Sequence, residues 1–512
     1  MTNKLYILAT LSLMVISPSR GYGQMKDSSS LFLPLMEHLS PMSRHSDMSR
    51  KNPAIHAEAC STDFSTAEAG YSMRREDMPA TVQKGSGHDY GKFMARSFRR
   101  LSGKNSVWGH AGYRRGTIYD VRWNSTSDYD IIYPYVTADS LGGNLTSEEY
   151  TAGGGYGHRT GRWIWGIEGN LRASHEYRTV NPRPRNIVTD IDASAGAAFT
   201  AGKVRIGLHI RTEIYRQRSD VDFYGDKGII GEYFMSGLGA HYARFKGNDN
   251  GTMFKGHSWS AGISVIPDSH KDGFYFSALY NRQITEKTLT DKNKLPLQKA
   301  IPNTVSAMFA WTGGKGSRYL WGISASSSYR YTGGYESIVA ENISNEYRSL
   351  GELEMFQSDK LSVRVDGTWG QDTDKASWYL TPGIRYMSSR EIYRYPRQCE
   401  EWAYLTAGTG FLYRRYIRRT ALEIEAETFW RQCVSETMDI PTATLEPSLA
   451  GMLRSNHLMA SSDYVQGRIK LRADFMTGKN LDIYVSAGYI LSVTVPGCVK
   501  MQTGEAALGI AF

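Results

Sequence analysis

The nine residues from Gly504 to Phe512 read Gly-Glu-Ala-Ala-Leu-Gly-Ile-Ala-Phe and alternate strictly. Ala506, Leu508, Ile510 and Phe512 share one face; Glu505, Ala507, Gly509 and Ala511 share the other. A period of two belongs to a β-strand with one apolar side. In a water-soluble fold such a strand needs a covering layer. In a closed barrel within a bilayer the lipid covers it, and neighbouring strands satisfy its backbone.

A C-terminal strand ending in Phe resembles the assembly signal of bacterial outer-membrane barrels. The resemblance implies that Leu508, Ile510 and Phe512 serve as that signal and face lipid. The other end of the chain agrees. Lys4 precedes the mostly apolar run Leu5 to Ile16, and the small residues Gly21 and Gly23 precede Gln24. This is the layout of a secretory signal peptide over residues 1–23, too short to span a bilayer.

Composition narrows the class. Mean hydropathy is −0.43, and no later stretch approaches the apolar length of a membrane helix. Gly (51), Tyr (33) and Trp (11) are abundant and Pro (16) is sparse, as transmembrane strands require. The net charge of +9 is spread through alternating strands, which argues against a nucleic-acid partner. The four cysteines, Cys60, Cys399, Cys433 and Cys498, lack metal-ligand spacing. An exported chain permits disulfides. Cys399 and Cys433 flank a hairpin and are the first candidate pair; free thiols stand as the alternative.

Along the chain, residues 24–60 read as an irregular segment or plug and residues 61–512 as one barrel domain. Asn52-Pro53-Ala54 is similar to the N-terminal hatch of long-chain fatty-acid transporters of the outer membrane. From Phe64 onward strands alternate with short and long connections. Short Gly-containing turns are read at 101–105, 160–162, 201–203, 313–316 and 478–480, and another turn at Gln357-Ser358-Asp359. Long loops are read near 121–149, 179–189 and 433–461. Long loops outside the cell and short turns in the periplasm are the rhythm of bacterial barrels. Strand parity fails between 218 and 256. The fold class is therefore all-β, a transmembrane antiparallel barrel with an even strand number of roughly 16–22.

Polar stripes oppose apolar ones. Val204, Ile206, Leu208 and Ile210 alternate with Arg205, His209 and Arg211. In a barrel the apolar stripe faces lipid and the charged stripe a wet lumen. Two consecutive strands, 420–432 and 463–475, carry Glu423, Glu425 and Glu427 on one and Arg468, Lys470 and Arg472 on the other. Both charged faces avoid lipid and so share the lumen. One antiparallel register sets Glu423 by Arg472, Glu425 by Lys470 and Glu427 by Arg468, a charge ladder. The alternative is six residues that each face water independently.

No nucleophile elbow, zinc-binding helix or calcium loop is present, so neither a catalytic site nor a cofactor is assigned. The whole chain resembles uncharacterised outer-membrane β-barrel proteins of Bacteroidota. The expected location is the outer membrane. The expected partners are its lipid and lipopolysaccharide, the barrel-assembly machinery and a small solute. The leading expectation is a pore or uptake protein. The alternative is a surface scaffold whose long loops bind a partner or lipopolysaccharide, with a barrel enzyme a distant third.

Overall fold

The computed structural model describes residues 32–222, 232–242, 245, 251–268, 272–340, 346–477, 481–495 and 497–512. The signal-peptide segment, residues 1–23, lies outside the described residues. Eighteen strands form one closed antiparallel sheet. The first six are β1 (Phe64–Glu76), β2 (Gly87–Arg100), β3 (Asn105–Val121), β4 (Gly143–Thr160), β5 (Trp163–Tyr177) and β6 (Arg183–Ala201). Next come β7 (Val204–Asp222), β8 (Thr252–Pro267), β9 (Gly273–Leu289), β10 (Leu295–Gly313), β11 (Leu320–Val339) and β12 (Ser349–Asp372). The last are β13 (Ala376–Tyr393), β14 (Gln398–Ile417), β15 (Thr420–Asp439), β16 (Asp463–Met476), β17 (Asp482–Val495) and β18 (Lys500–Ala511).

Each strand pairs with its successor, and β18 closes the ring on β1 with Ile510 opposite Ala67 and Leu508 opposite Ala69. Ser65 and Phe512 exchange two backbone hydrogen bonds of 2.9 Å. Leu508, Ile510 and Phe512 are exposed on the outer surface. The sheet thus has no free edge, which is what a bilayer demands of strands.

β7 shows why the sequence folds this way. Val204, Ile206, Leu208, Ile210 and Ile214 point outward and are exposed, whereas Arg205 and His209 point inward and are buried. Beyond Ile214 the outward positions become Arg216 and Arg218. The apolar band ends there, but the ladder to β8 continues to Ser219. An apolar band about 25 Å tall needs only about 9–11 tilted residues, so strands of this barrel stand out above it. Trp163, Trp165, Trp311, Trp321 and Trp369 are exposed near the short turns and form an aromatic girdle at that rim.

Several expected boundaries are corrected. Residues 143–149, 183–189 and 433–439 are strand, not loop, because strands outrun the apolar band. Gln357-Ser358-Asp359 is no turn but the middle of β12. Its polarity serves the wall: Ser358 donates inward to Glu391 at 3.4 Å, and Asp359 accepts from Tyr329 at 2.5 Å. In the region of failed parity, β7 ends at Asp222 and β8 begins at Thr252. Between them Tyr233–Gly237 and Ala240–His241 belong to a separate three-stranded sheet with Thr137–Ala138.

Candidate functional site

An eighteen-stranded ring encloses a lumen wide enough for an aqueous channel, so the functional question is what fills it. At the short-turn end the filling is residues 32–60: a helix Leu33–His38, 3-10 turns Pro41–Ser46 and Ser49–Lys51, and a helical turn Pro53–His56. Asn52 starts that last turn. Its Oδ1 accepts from the Ala54 N–H at 2.9 Å, with Pro53 at the first helical position. Its Nδ2 donates to the Leu208 carbonyl on β7 at 3.1 Å.

The wall facing this turn is stripped of side chains. Gly157, Gly166, Gly196 and Gly207 lie on the four adjacent strands β4 to β7. A Cβ on Gly166 would stand 2.3 Å from the Pro53 carbonyl carbon, and one on Gly196 2.0 Å from Asn52 Oδ1. On Gly157 it would stand 2.1 Å from the Ala57 methyl. Glu58 then binds Arg159 and, at 2.7 Å, the buried Arg205. Farther round the wall His45 bonds Thr368 at 2.9 Å, and Phe32 packs on Tyr416 with ring centroids 5.0 Å apart. Burial pushes the His45 and His56 imidazoles down to about 4, so both are neutral at pH 7.

At the opposite end, connections fold inward as a cap. Trp123, Ile132 and Val136 from the β3–β4 loop pack with Met235 from the β7–β8 connection. Leu449 and Met452, from the helix Pro447–Ser461 between β15 and β16, join them, and Tyr215 and Phe254 of the wall complete the cluster. The cavity between Trp123, Tyr133, Met235 and Met452 measures only about 50 Å³. Tyr233 donates to Glu446 at 2.7 Å. His457 on the helix stands 2.9 Å from Glu400 and 3.5 Å from Glu436 of the wall. The hydrogen bond to Glu400 raises its pKa, against burial.

Between plug and cap the wall is polar. β15 and β16 set Glu423 opposite Arg472, Glu425 opposite Lys470 and Glu427 opposite Arg468, all inward. The ion pairs do not all follow these rungs. Glu427 meets Arg468 at 3.3 Å. Glu423 instead takes the buried Arg414 of β14, whose Nε donates at 2.7 Å. Arg472 instead binds Asp474 at 2.6 Å and lies 3.8 Å over the Tyr484 ring. A strand offers two flanking neighbours and its own i+2 position, and the closer carboxylate wins.

The candidate disulfide is overturned. Cys399 is opposite Asp439, and Cys433 is opposite Tyr404. Five residues of extended strand separate the two rungs, roughly 16 Å at 3.3 Å per residue. A disulfide requires Cα atoms within about 7 Å. All four cysteines are free thiols. Among the described residues, no group of three or more His, Cys, Asp or Glu could hold a metal ion.

The cap helix escaped the sequence reading, although Leu449, Met452 and Leu453 carry its helical spacing. His457 and the four-glycine wall were missed too. Each glycine sits in an ordinary strand pattern, and only the fold sets Gly157, Gly166 and Gly196 in one row with Gly207 beside it.

The chain is an outer-membrane-type closed β-barrel. One protein-family model, described as a family of unknown function, matches residues 53–512. No curated protein matches the chain. Among solved structures, the chain is similar to the ferric preacinetobactin receptor BauA of Acinetobacter baumannii, at 10% identity, 88% of this chain, 80% of that chain and a TM-score of 0.42. It is also similar to the outer-membrane transporter YddB of Escherichia coli, at 9% identity, 87% and 80% coverage and a TM-score of 0.38. A mutant of the ferric enterobactin receptor PfeA of Pseudomonas aeruginosa gives 8% identity, 88% and 80% coverage and 0.38.

Proposed function

The chain belongs to that family of unknown function, DUF6850, and we propose that it is an outer-membrane uptake barrel for small solutes, closed at rest by its own plug and cap. One observation carries the reading. A wide ring with a polar, charged inner wall is stopped at both ends by segments held through hydrogen bonds, ion pairs and packing alone. A barrel that served only as a scaffold has no need of a polar passage. The cap favours uptake as well: residues of the long connections turn inward to bury Trp123 and Met452 instead of extending as a binding surface.

Outer-membrane lipid and lipopolysaccharide are the partners for the exposed apolar band. The barrel-assembly machinery is the partner for Leu508, Ile510 and Phe512. The resemblance of the whole chain to outer-membrane barrels of Bacteroidota supports an origin in that group. The hatch likeness rests on Asn52-Pro53-Ala54, which sits in the plug. The test is liposome swelling with small solutes. The full chain should be nearly silent. A variant lacking residues 24–60, with the cap segments 122–142, 223–251 and 440–462 each replaced by a short Gly-Ser turn, should admit them. A doubly opened barrel that stays silent would refute uptake.

A further inference from the structure

We infer that the lumen wall of β11 to β13 carries a binding site for a small solute bearing more than one carboxylate or phosphate group. This rests on the uptake reading and narrows it to a solute class. Arg330 is directly opposite Lys360 on the neighbouring strand, and Arg364 is directly opposite Arg385. All four side chains point into the lumen. Directly opposed residues have Cβ atoms about 4.5–5.5 Å apart, and like charges there destabilise the pair. The barrel accepts this arrangement twice on three consecutive strands.

Partial neutralisation is visible and incomplete. Lys360 meets Glu391 at 2.9 Å and Arg364 meets Asp366 at 2.5 Å. Among the described residues Arg330 and Arg385 make no ion pair; Arg330 donates only to the Thr304 hydroxyl at 3.1 Å. The two basic rows flank a row in which Ser328 is opposite Ser362. Four residues separate the basic rows along a strand, roughly 13 Å, and long side chains can lean together over the serines between. The side chains of Lys360 and Arg364 remain 46% and 41% exposed within the lumen, so water and ions reach them. Two cationic rows with hydroxyls between them suit an oxyanion at each row, with charge-assisted hydrogen bonds from guanidinium.

The experiment refolds the full chain into detergent with citrate or inorganic phosphate already present, which removes any access barrier from plug or cap. Sodium chloride at matched ionic strength is the control. The thermal transition should rise saturably with at least one anion. In the double variant Arg330→Gln/Arg385→Gln the anion-free protein should melt no lower, because repulsion is relieved. Its half-maximal anion concentration should rise roughly tenfold or more. Both anions stabilise proteins in general by exclusion from the surface, so the comparison with the variant decides. A saturable shift with only one anion supports the site and names the group it takes. No saturable shift, or the same concentration dependence in the variant, overturns the site. The swelling assay reads uptake separately, so a conducting barrel without an anion effect would sink this inference alone.

Discussion

Asn52 and Leu208 are joined by a hydrogen bond of 3.1 Å from a plug side chain to a wall carbonyl. The same amide caps the turn Pro53–His56 through its oxygen. One residue therefore shapes the plug and fastens it, and the neighbouring glycines let it come close enough to do so.

Asn52→Ala should loosen the plug while leaving the barrel intact. The lost cap costs about 1 kcal/mol and the lost hydrogen bond about another. Hydrogen exchange across residues 41–56 should accelerate by roughly tenfold or more, with strand amides unchanged. Gly196→Val should act more strongly, because its Cβ would collide with Asn52. Unchanged protection in both variants would show that the plug is held elsewhere.

Plug and cap should respond to pH in opposite senses. In the docked plug His45 and His56 titrate at about 4, below their ordinary value near 6.5. The released plug therefore binds more protons, and docking is complete above pH 6.5 and weakens as pH falls toward 4. His457 has a raised pKa in the cap, from Glu400 first, with burial opposing and Glu436 adding to it. Its contribution is complete below 6.5 and is lost as pH rises through the raised value. Protection factors of residues 41–56 and 447–461, each taken against the intrinsic exchange rate at that pH from 4 to 9, should move in opposite directions. Parallel trends would contradict the assignment.

Thiol chemistry gives a third outcome. Unreduced, denatured protein should take up label on all four cysteines, with no gain after reductant. In the folded state Cys498 is exposed and should react first. Cys60 should lag, because burial pushes its thiol up to about 11. Protection of both Cys399 and Cys433 before reduction would mean that the register of β14 and β15 is wrong.

Assembly can be probed at the seam. Ile510→Asp puts a charge on the lipid face of the closing strand, at a depth-dependent cost that reaches about 2–4 kcal/mol at the midplane for basic residues and is less for acidic ones. Outer-membrane recovery and heat-modifiable gel migration should fall. Thr503→Asp, on the lumen face of β18, should assemble normally.

The period-two pattern made the barrel legible, because lipid outside and water inside impose opposite polarity on alternate residues. It served best in the middle of strands such as β7. It was misleading where strands leave the apolar band, since Arg216 and Arg218 look like loop residues once lipid no longer selects them. The facing strands of Glu425 and Lys470 could be read from parity. The choice of Arg414 by Glu423 could not, because it depends on a third strand. Plug and cap were least legible: Asn52 and Met452 find their partners only after the ring has closed around them.

Plug and cap close a polar passage, and planar-bilayer conductance reads that closure. The full chain should show no steady channels. Deleting residues 24–60 and replacing the cap segments 122–142, 223–251 and 440–462 by short turns should together give stable openings, and opening either end alone should give rarer ones. Steady conductance from the full chain, or silence from the doubly deleted and properly assembled barrel, would contradict the account.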